Sequence, residues 1–207
     1  MKQKIPIFPL NLVVFPNSRY PLHIFENRYK KMIQNCLDNN EGFGITAKID
    51  QEISSVGSYV TIHKILKKYI TGEMDIIVKA QKRFHMLDYI IGPDGYYIAE
   101  VEDFPDFDYD IDINLVDELQ TIFEQILNKI NYHLEESFWE NYYSTSTKSF
   151  KLAEKSGLSL EQQQTLLSIQ NENERLSFLL DYFEKVDKNL SENSAHRNII
   201  LGNGYIN

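Results

Sequence analysis

Cysteine is almost missing from this chain. Cys36 is the single thiol in 207 residues, so no disulfide can form within it, and the pattern suits a reducing compartment, for which the cytoplasm is the expectation. No apolar run approaches the roughly 20 residues a transmembrane helix needs. The opening Met1-Lys2-Gln3-Lys4 leads into a proline-broken segment, not an uninterrupted apolar stretch, so no signal peptide is expected. Internal repeats and long low-complexity tracts are also lacking. Basic charge is scarce, and the formal net charge is −9. Residues 1–100 carry 13 Lys/Arg against 10 Asp/Glu, whereas residues 101–207 carry 8 against 20. A negative field repels phosphate backbones, which disfavours nucleic acid as a partner, above all through the second half. The five histidines, His23, His63, His85, His133 and His196, are scattered, and no His-x-His, His-x-x-x-His or Cys-His spacing suggests a metal. No metal or cofactor is therefore expected.

What is plentiful is aromatic bulk, with 13 Tyr and 12 Phe, in a chain whose 43% hydrophobic and 25% charged content is that of an ordinary globular protein. The chain changes character once, near Phe104-Pro105-Asp106. Before it, Ile5-Pro6-Ile7-Phe8-Pro9-Leu10 and Leu12-Val13-Val14-Phe15-Pro16 read as extended, edge-like strands, because proline inside an apolar run rules out a helix. One helix interrupts this β region. Phe25, Tyr29, Met32, Ile33, Cys36 and Leu37 fall at helical spacing, and Asn39, Asn40 and Gly42 end the run. From Phe43 the period drops to two. Val60 and Ile62 share one face, as do Ile76, Val78 and Ala80, and Tyr97, Ala99 and Val101, with Gly57, Gly72 and Gly92-Pro93-Asp94-Gly95 as turns. Short strands at this spacing predict a small barrel or folded sheet.

Glu102 to Glu118 holds eight acidic residues and no basic one, which reads as a solvated connection. Leu115, Leu119, Ile122 and Ile126 then draw a helical face. A second helix is predicted near Lys148–Lys155, and a third from Ser159, where Ser159-Leu160-Glu161-Gln162 reads as a capping box. Asn171-Glu172-Asn173-Glu174 reads similarly before Leu176, Leu179, Leu180, Phe183 and Val186. This gives an α+β division into a β part over residues 1–106, a helical part over 107–190, and a loose polar tail over 191–207.

The stretch from Ile5 to Tyr29 carries the most specific signal. Pro6-Ile7-Phe8-Pro9-Leu10, Val14-Phe15-Pro16 and Pro21-Leu22-His23-Ile24-Phe25-Glu26-Asn27-Arg28-Tyr29 resemble the opening of the amino-terminal, substrate-binding domain of Lon-type proteases. Agreement continues at Gly42-Phe43-Gly44, Val56-Gly57, Arg83-Phe84, Tyr97-Ile98-Ala99-Glu100-Val101, Glu161 to Leu167, and Glu174-Arg175-Leu176. Thr71-Gly72-Glu73-Met74-Asp75 departs from the Asp-Gly turn of many relatives. The resemblance implies a PUA-like β pseudobarrel with one inserted helix, followed by a helical subdomain, and a role in recognising substrate proteins. Similar domains stand alone or are fused to other degradation machinery. No G-x-x-x-x-G-K-[ST] phosphate loop is found, and the peptidase segment with its Ser–Lys dyad is not found either. The expectation is thus a non-enzyme, with no catalytic residue, that binds exposed hydrophobic segments of unfolded or client polypeptides, or an adaptor, for a protease or chaperone.

Candidate binding residues are aromatics at segment ends and turns: Phe15, Tyr20, Tyr69, Phe84, Tyr96 and Tyr97. Most are expected in the core, with one or two at the surface. Tyr96 and Tyr97 must point to opposite faces if both lie in a strand. Glu26 and Arg28 read either as a clamp for a peptide terminus or as structural, Glu26 capping the helix and Arg28 pairing with a carboxylate or carbonyl. His23 reads as a hydrogen-bonded core residue and Cys36 as an inert buried thiol. Asp106/Asp108/Asp110/Asp112 lacks the glycine and distal glutamate of a calcium loop and reads as solvated acids. Two further readings stay open: an RNA-binding PUA-like protein, against the charge balance, and an enzyme of unknown type if a pocket gathers Arg28, His85 and a carboxylate.

Overall fold

The computed structural model describes residues 2–107 and 110–192. Within them the chain forms, in order, β1 (Gln3–Leu10), β2 (Arg19–Ile24), α1 (Asn27–Asn39), β3 (Phe43–Ile49), β4 (Glu52–Lys68), β5 (Met74–Ile91), β6 (Tyr97–Asp103), α2 (Ile113–Lys129), α3 (Glu136–Ser144), α4 (Lys148–Ala153), α5 (Leu160–Ser168) and α6 (Glu172–Glu192). The fold is α+β. Among the described residues two compact units form, one from those up to Pro105 with Leu160–Leu167, the other from Asp106 to Ser159 with Ser168 to Glu192.

In the first unit the strands run in the order β2-β5-β4-β3-β1-β6, and β5 also pairs with β6. That pairing closes β1, β3, β4, β5 and β6 into a hydrogen-bonded ring, the pseudobarrel. Closure leaves few unpaired edges, the usual liability of a small sheet. β1 runs parallel to β3 (Ile7↔Gly44 to Leu10↔Ala47) and antiparallel to β6 (Gln3↔Val101 to Ile7↔Tyr97). The long strands β4 and β5 do double work: Val56–Val60 lies opposite Ala80–His85 in the ring, and Thr61–Lys68 opposite Met74–Lys79 beyond it, where β2 takes the other side of β5. Register shifts near Val60, Lys64 and Lys67 supply the bends that such dual use needs. Ile76, Val78 and Ala80 are fully enclosed, as are Ala99 and Val101, following the period-two pattern. Gly44 and Gly57 pass on either side of the Phe84 ring; a Cβ on either would come within 2.7 Å of its Cζ. Gly57 is therefore a close-approach residue inside β4, not a turn.

Several expectations shift. Leu12 to Pro16 is not a strand; Val13, Val14 and Phe15 form a buried coil pinned by the Ser58 and Ser18 hydroxyls, which donate to the carbonyls of Val14 and Phe15. Phe25 precedes α1 and stands 59% exposed, so the buried stripe begins at Tyr29. Helix α5 belongs to the β unit, where Arg83 Nη1 donates to the Leu167 carbonyl (2.6 Å) and Gln164 Nε2 to that of Val56 (3.1 Å).

The second unit packs α2, α3, α4 and α6 around an aromatic cluster. Phe123 meets Phe183 at 5.1 Å and Phe138 meets Trp139 edge-on at 5.4 Å. Asp112 caps α2 by accepting from the amides of Asn114 and Leu115, and Asn171 caps α6 through the amides of Asn173 and Glu174. Helix α3 is absent from the sequence expectations; Phe138, Trp139, Tyr142 and Tyr143 give it aromatics on adjacent positions and no single clean stripe. Helix α6 continues through Ser191 and Glu192, where the tail was expected to begin. The remainder of the expected tail, with His196, and Asp108 lie outside the described residues.

At the heart of this unit Arg175 is fully buried. It donates to Glu172 Oε2 from Nη2 (2.6 Å) and Nε (3.1 Å), to the Ser149 hydroxyl (3.0 Å), to the Ile169 carbonyl (2.7 Å) and to both oxygens of Asp106, and lies over the Phe150 ring. Asp106 is thus part of an internal ion network and not a solvated acid.

Candidate functional site

The end of β1, the β2–α1 junction, the β3–β4 turn and the facing ends of β5 and β6 enclose a groove of about 720 Å³ in the first unit. Each wall follows from local sequence. Pro9 carries the end of β1 past its last β6 partner, so Phe8, Pro9 and Leu10 face the groove. The β3–β4 connection is a two-residue turn, with Ile49 opposite Glu52 and both central residues at positive φ (Asp50 48°, Gln51 72°). This matches the twist of a tight hairpin and sets Lys48, Gln51, Glu52 and Ile53 along one rim. Tyr89 and Tyr97 form the opposite wall and meet edge-on at 5.4 Å. Tyr29 lies under Phe8 with ring centroids 4.0 Å apart.

The β2–α1 junction supplies the polar groups. Glu26 precedes α1 but makes no side-chain cap; its Oε2 accepts from Arg28 Nε (2.9 Å) and Nη2 (2.8 Å). Arg28 lies over the Tyr29 ring, 4.6 Å from its centroid. The expected pairing of Arg28 with a carboxylate is present, while the expected helix cap is not; the Glu26 side chain pairs with Arg28 instead. His23 is exposed, contrary to the expectation of a core residue. The outward positions of β2 place it on the surface, where Nδ1 meets Asp75 at 2.6 Å and the ring stacks on Phe25 at 5.9 Å. The Tyr69 hydroxyl donates to the other Asp75 oxygen at 2.8 Å. Hydrogen bonding to His23, then to Tyr69, holds the Asp75 carboxyl below the usual carboxylate range.

The residues singled out in the sequence part company here. Tyr97, Glu26 and Arg28 line the groove. Phe15 and Phe84 are fully enclosed in the core, out of reach of a ligand unless the fold opens. Tyr96 is buried and accepts from Asn35, Tyr20 is half-buried in β2, and Tyr69 stands at the β4–β5 turn beside a second, shallower cleft. His85 does not line the groove with Arg28; it faces Glu102 at 3.4 Å and the Phe104 ring. Phe8, Phe25, Ile53 and Tyr89 were not singled out. Phe25 and Tyr89 could have been, as large rings each next to an acid, Glu26 and Asp88. Cys36 is buried, and burial pushes its thiol up to about 11, so it is protonated at neutral pH. Among the described residues no group of three or more His, Cys, Asp or Glu could hold a metal ion, and no helix is long and apolar enough to cross a membrane.

Residues 4–185 match the family model described as the ATP-dependent protease La (LON) substrate-binding domain. Among solved structures the chain is similar to a Lon N-terminal domain protein from Xanthomonas campestris (TM-score 0.68, 23% identity, covering 86% of this chain and 98% of that one). It is also similar to the N-terminal domain of Mycobacterium avium complex Lon protease (TM-score 0.65, 17% identity, covering 88% and 98%). A search of curated protein sequences finds no significant match.

Proposed function

We infer, because the chain belongs to the Lon substrate-binding domain family, that it binds exposed hydrophobic segments of client or adaptor polypeptides and performs no chemistry of its own. The observation that carries this reading is the groove. Five carbocyclic aromatic rings (Phe8, Phe25, Tyr29, Tyr89 and Tyr97) line a concave space large enough for several side chains. Aromatic walls with a few placed polar groups are the usual make-up of a polypeptide-docking cleft. Tyr97 and Tyr89 are its anchors; Tyr96 and Tyr20 pack in the same core cluster as Phe8 and Tyr29, Phe84 in the cluster Tyr97 lies against, and Tyr69 shares Asp75 with His23, while Phe15 is enclosed in the core. Residues 1–106, joined by α5, form the recognising part, and the rest of 107–190 the helical part. A protease or chaperone is the partner that receives the client.

Titration of the purified protein with an unfolded, aromatic-rich peptide tests this. Tyr97→Ala is expected to weaken binding by about 2 kcal/mol, roughly 30-fold, with little change in Tm. Affinity for the aromatic peptide no better than for a scrambled polar one would sink the reading.

A further inference from the structure

Three features of the groove point past apolar docking to the way a client is gripped. The first is a strand edge. β1 pairs with β3 through Leu10, but with β6 only through Ile7. Phe8 to Leu10 therefore has no strand on that second side among the described pairings, and this is the stretch that lines the groove. The second is the Glu26–Arg28 pair. Arg28 Nε and Nη2 both donate to the same carboxylate oxygen, Oε2, leaving Glu26 Oε1 and Arg28 Nη1 without a protein partner among the described residues, on side chains about 40% exposed. A fixed acceptor beside a fixed donor matches the N–H and C=O of a peptide group. The third is charge. The lining acids Glu26 and Glu52 are balanced by Arg28 and Lys48, so the groove complements a dipolar, uncharged occupant, and a bare carboxylate or ammonium would lose hydration there without a free counter-charge.

Resting on the reading that clients dock in this groove, we propose that it holds an extended, uncharged internal stretch of polypeptide by its backbone, through the β1 edge and the Glu26–Arg28 dipole, and reads side chains only as apolar bulk. Such a grip is tolerant of sequence, as recognition by strand addition is elsewhere. It also needs an unfolded client, because only unpaired backbone can answer it.

The test uses the full chain and a ten-residue aromatic-rich peptide, acetylated and amidated so that it has no charged terminus. Single N-methyl groups are walked along the peptide, and affinity is read by isothermal titration. The expected result is a loss of about tenfold at alternate positions with little change between them. Arg28→Lys, which keeps the charge but not the forked geometry, is expected to weaken the unmethylated peptide and flatten the alternation. Retained affinity with no sensitivity to any N-methyl group overturns the backbone grip while leaving apolar docking in place. Tighter binding of the same peptide with a free carboxylate overturns it in favour of a terminus clamp. No binding of the capped peptide, or binding that Tyr97→Ala does not weaken, overturns both readings.

Discussion

The two units of this chain put their charge in opposite places. The β unit buries one charged side chain, Arg83, and sets Glu26, Arg28, Lys48, Glu52 and the His23–Asp75 pair at the groove or its rim. The helical unit buries Arg175 and Glu172, with Ser149 between them, in its centre. Burial alone would push the Glu172 carboxyl up, and its pKa stays raised even though Arg175 and Ser149 pull it down. A buried ion pair is a poor source of net stability, since desolvation consumes much of the attraction. It does penalise every arrangement that leaves one partner alone. The contrast is one of charge: ion pairs sit mainly at the surface of the first unit and at the centre of the second.

Three substitutions would break or sharpen that contrast. Arg175→Ala leaves Glu172 and Asp106 without their cation and is expected to cost about 3–5 kcal/mol, read as a fall in the urea midpoint; a loss under 1 kcal/mol would mean that the helical interior tolerates free carboxylates. In the β unit the sensitive dimension is volume. Gly44→Ala drives a methyl against Ile7 Cδ1 (2.6 Å) and Phe84 Cζ (2.7 Å) and is expected to cost about 1–3 kcal/mol, in a thermal melt at any pH where the fold holds. The smallest effect belongs to the rim. The folded pKa of Asp75 is depressed, so the stability it lends is fully present above the unfolded value, about pH 4, and fades as pH falls through the folded value. The Tm gap between the wild type and Asp75→Asn should therefore narrow as pH drops from 7 to below 4. A gap that stays constant would show that His23 and Tyr69 do not hold the carboxylate.

Local patterning carried much of the architecture. Period-two runs marked β5 and β6, proline marked β1, and the Asn171 cap and the apolar face of α2 were readable because each depends on neighbours within a few residues. The failures share a cause. Val13 to Phe15 looks like a strand, but its partners are hydroxyls from Ser18 and Ser58. Asp106 looks solvated because Arg175 stands 69 residues away. The groove was the least legible part: Tyr97, Glu26 and Arg28 could be singled out, yet its walls come from six strands and a helix start, and no window of sequence contains them together.

Closure of the strand ring has a further consequence, in time. Gln3 must find Val101, so β1 waits for a segment synthesised nearly a hundred residues after it, about 5–20 s at ordinary elongation rates. In that interval β1 has only β3 to pair with, and only once Gly44 has been made to meet Ile7. Pro6, opposite Ile98 in the finished ring, has no N–H to offer, so the stretch that β6 will later cover is a poor template for a stray chain while it waits.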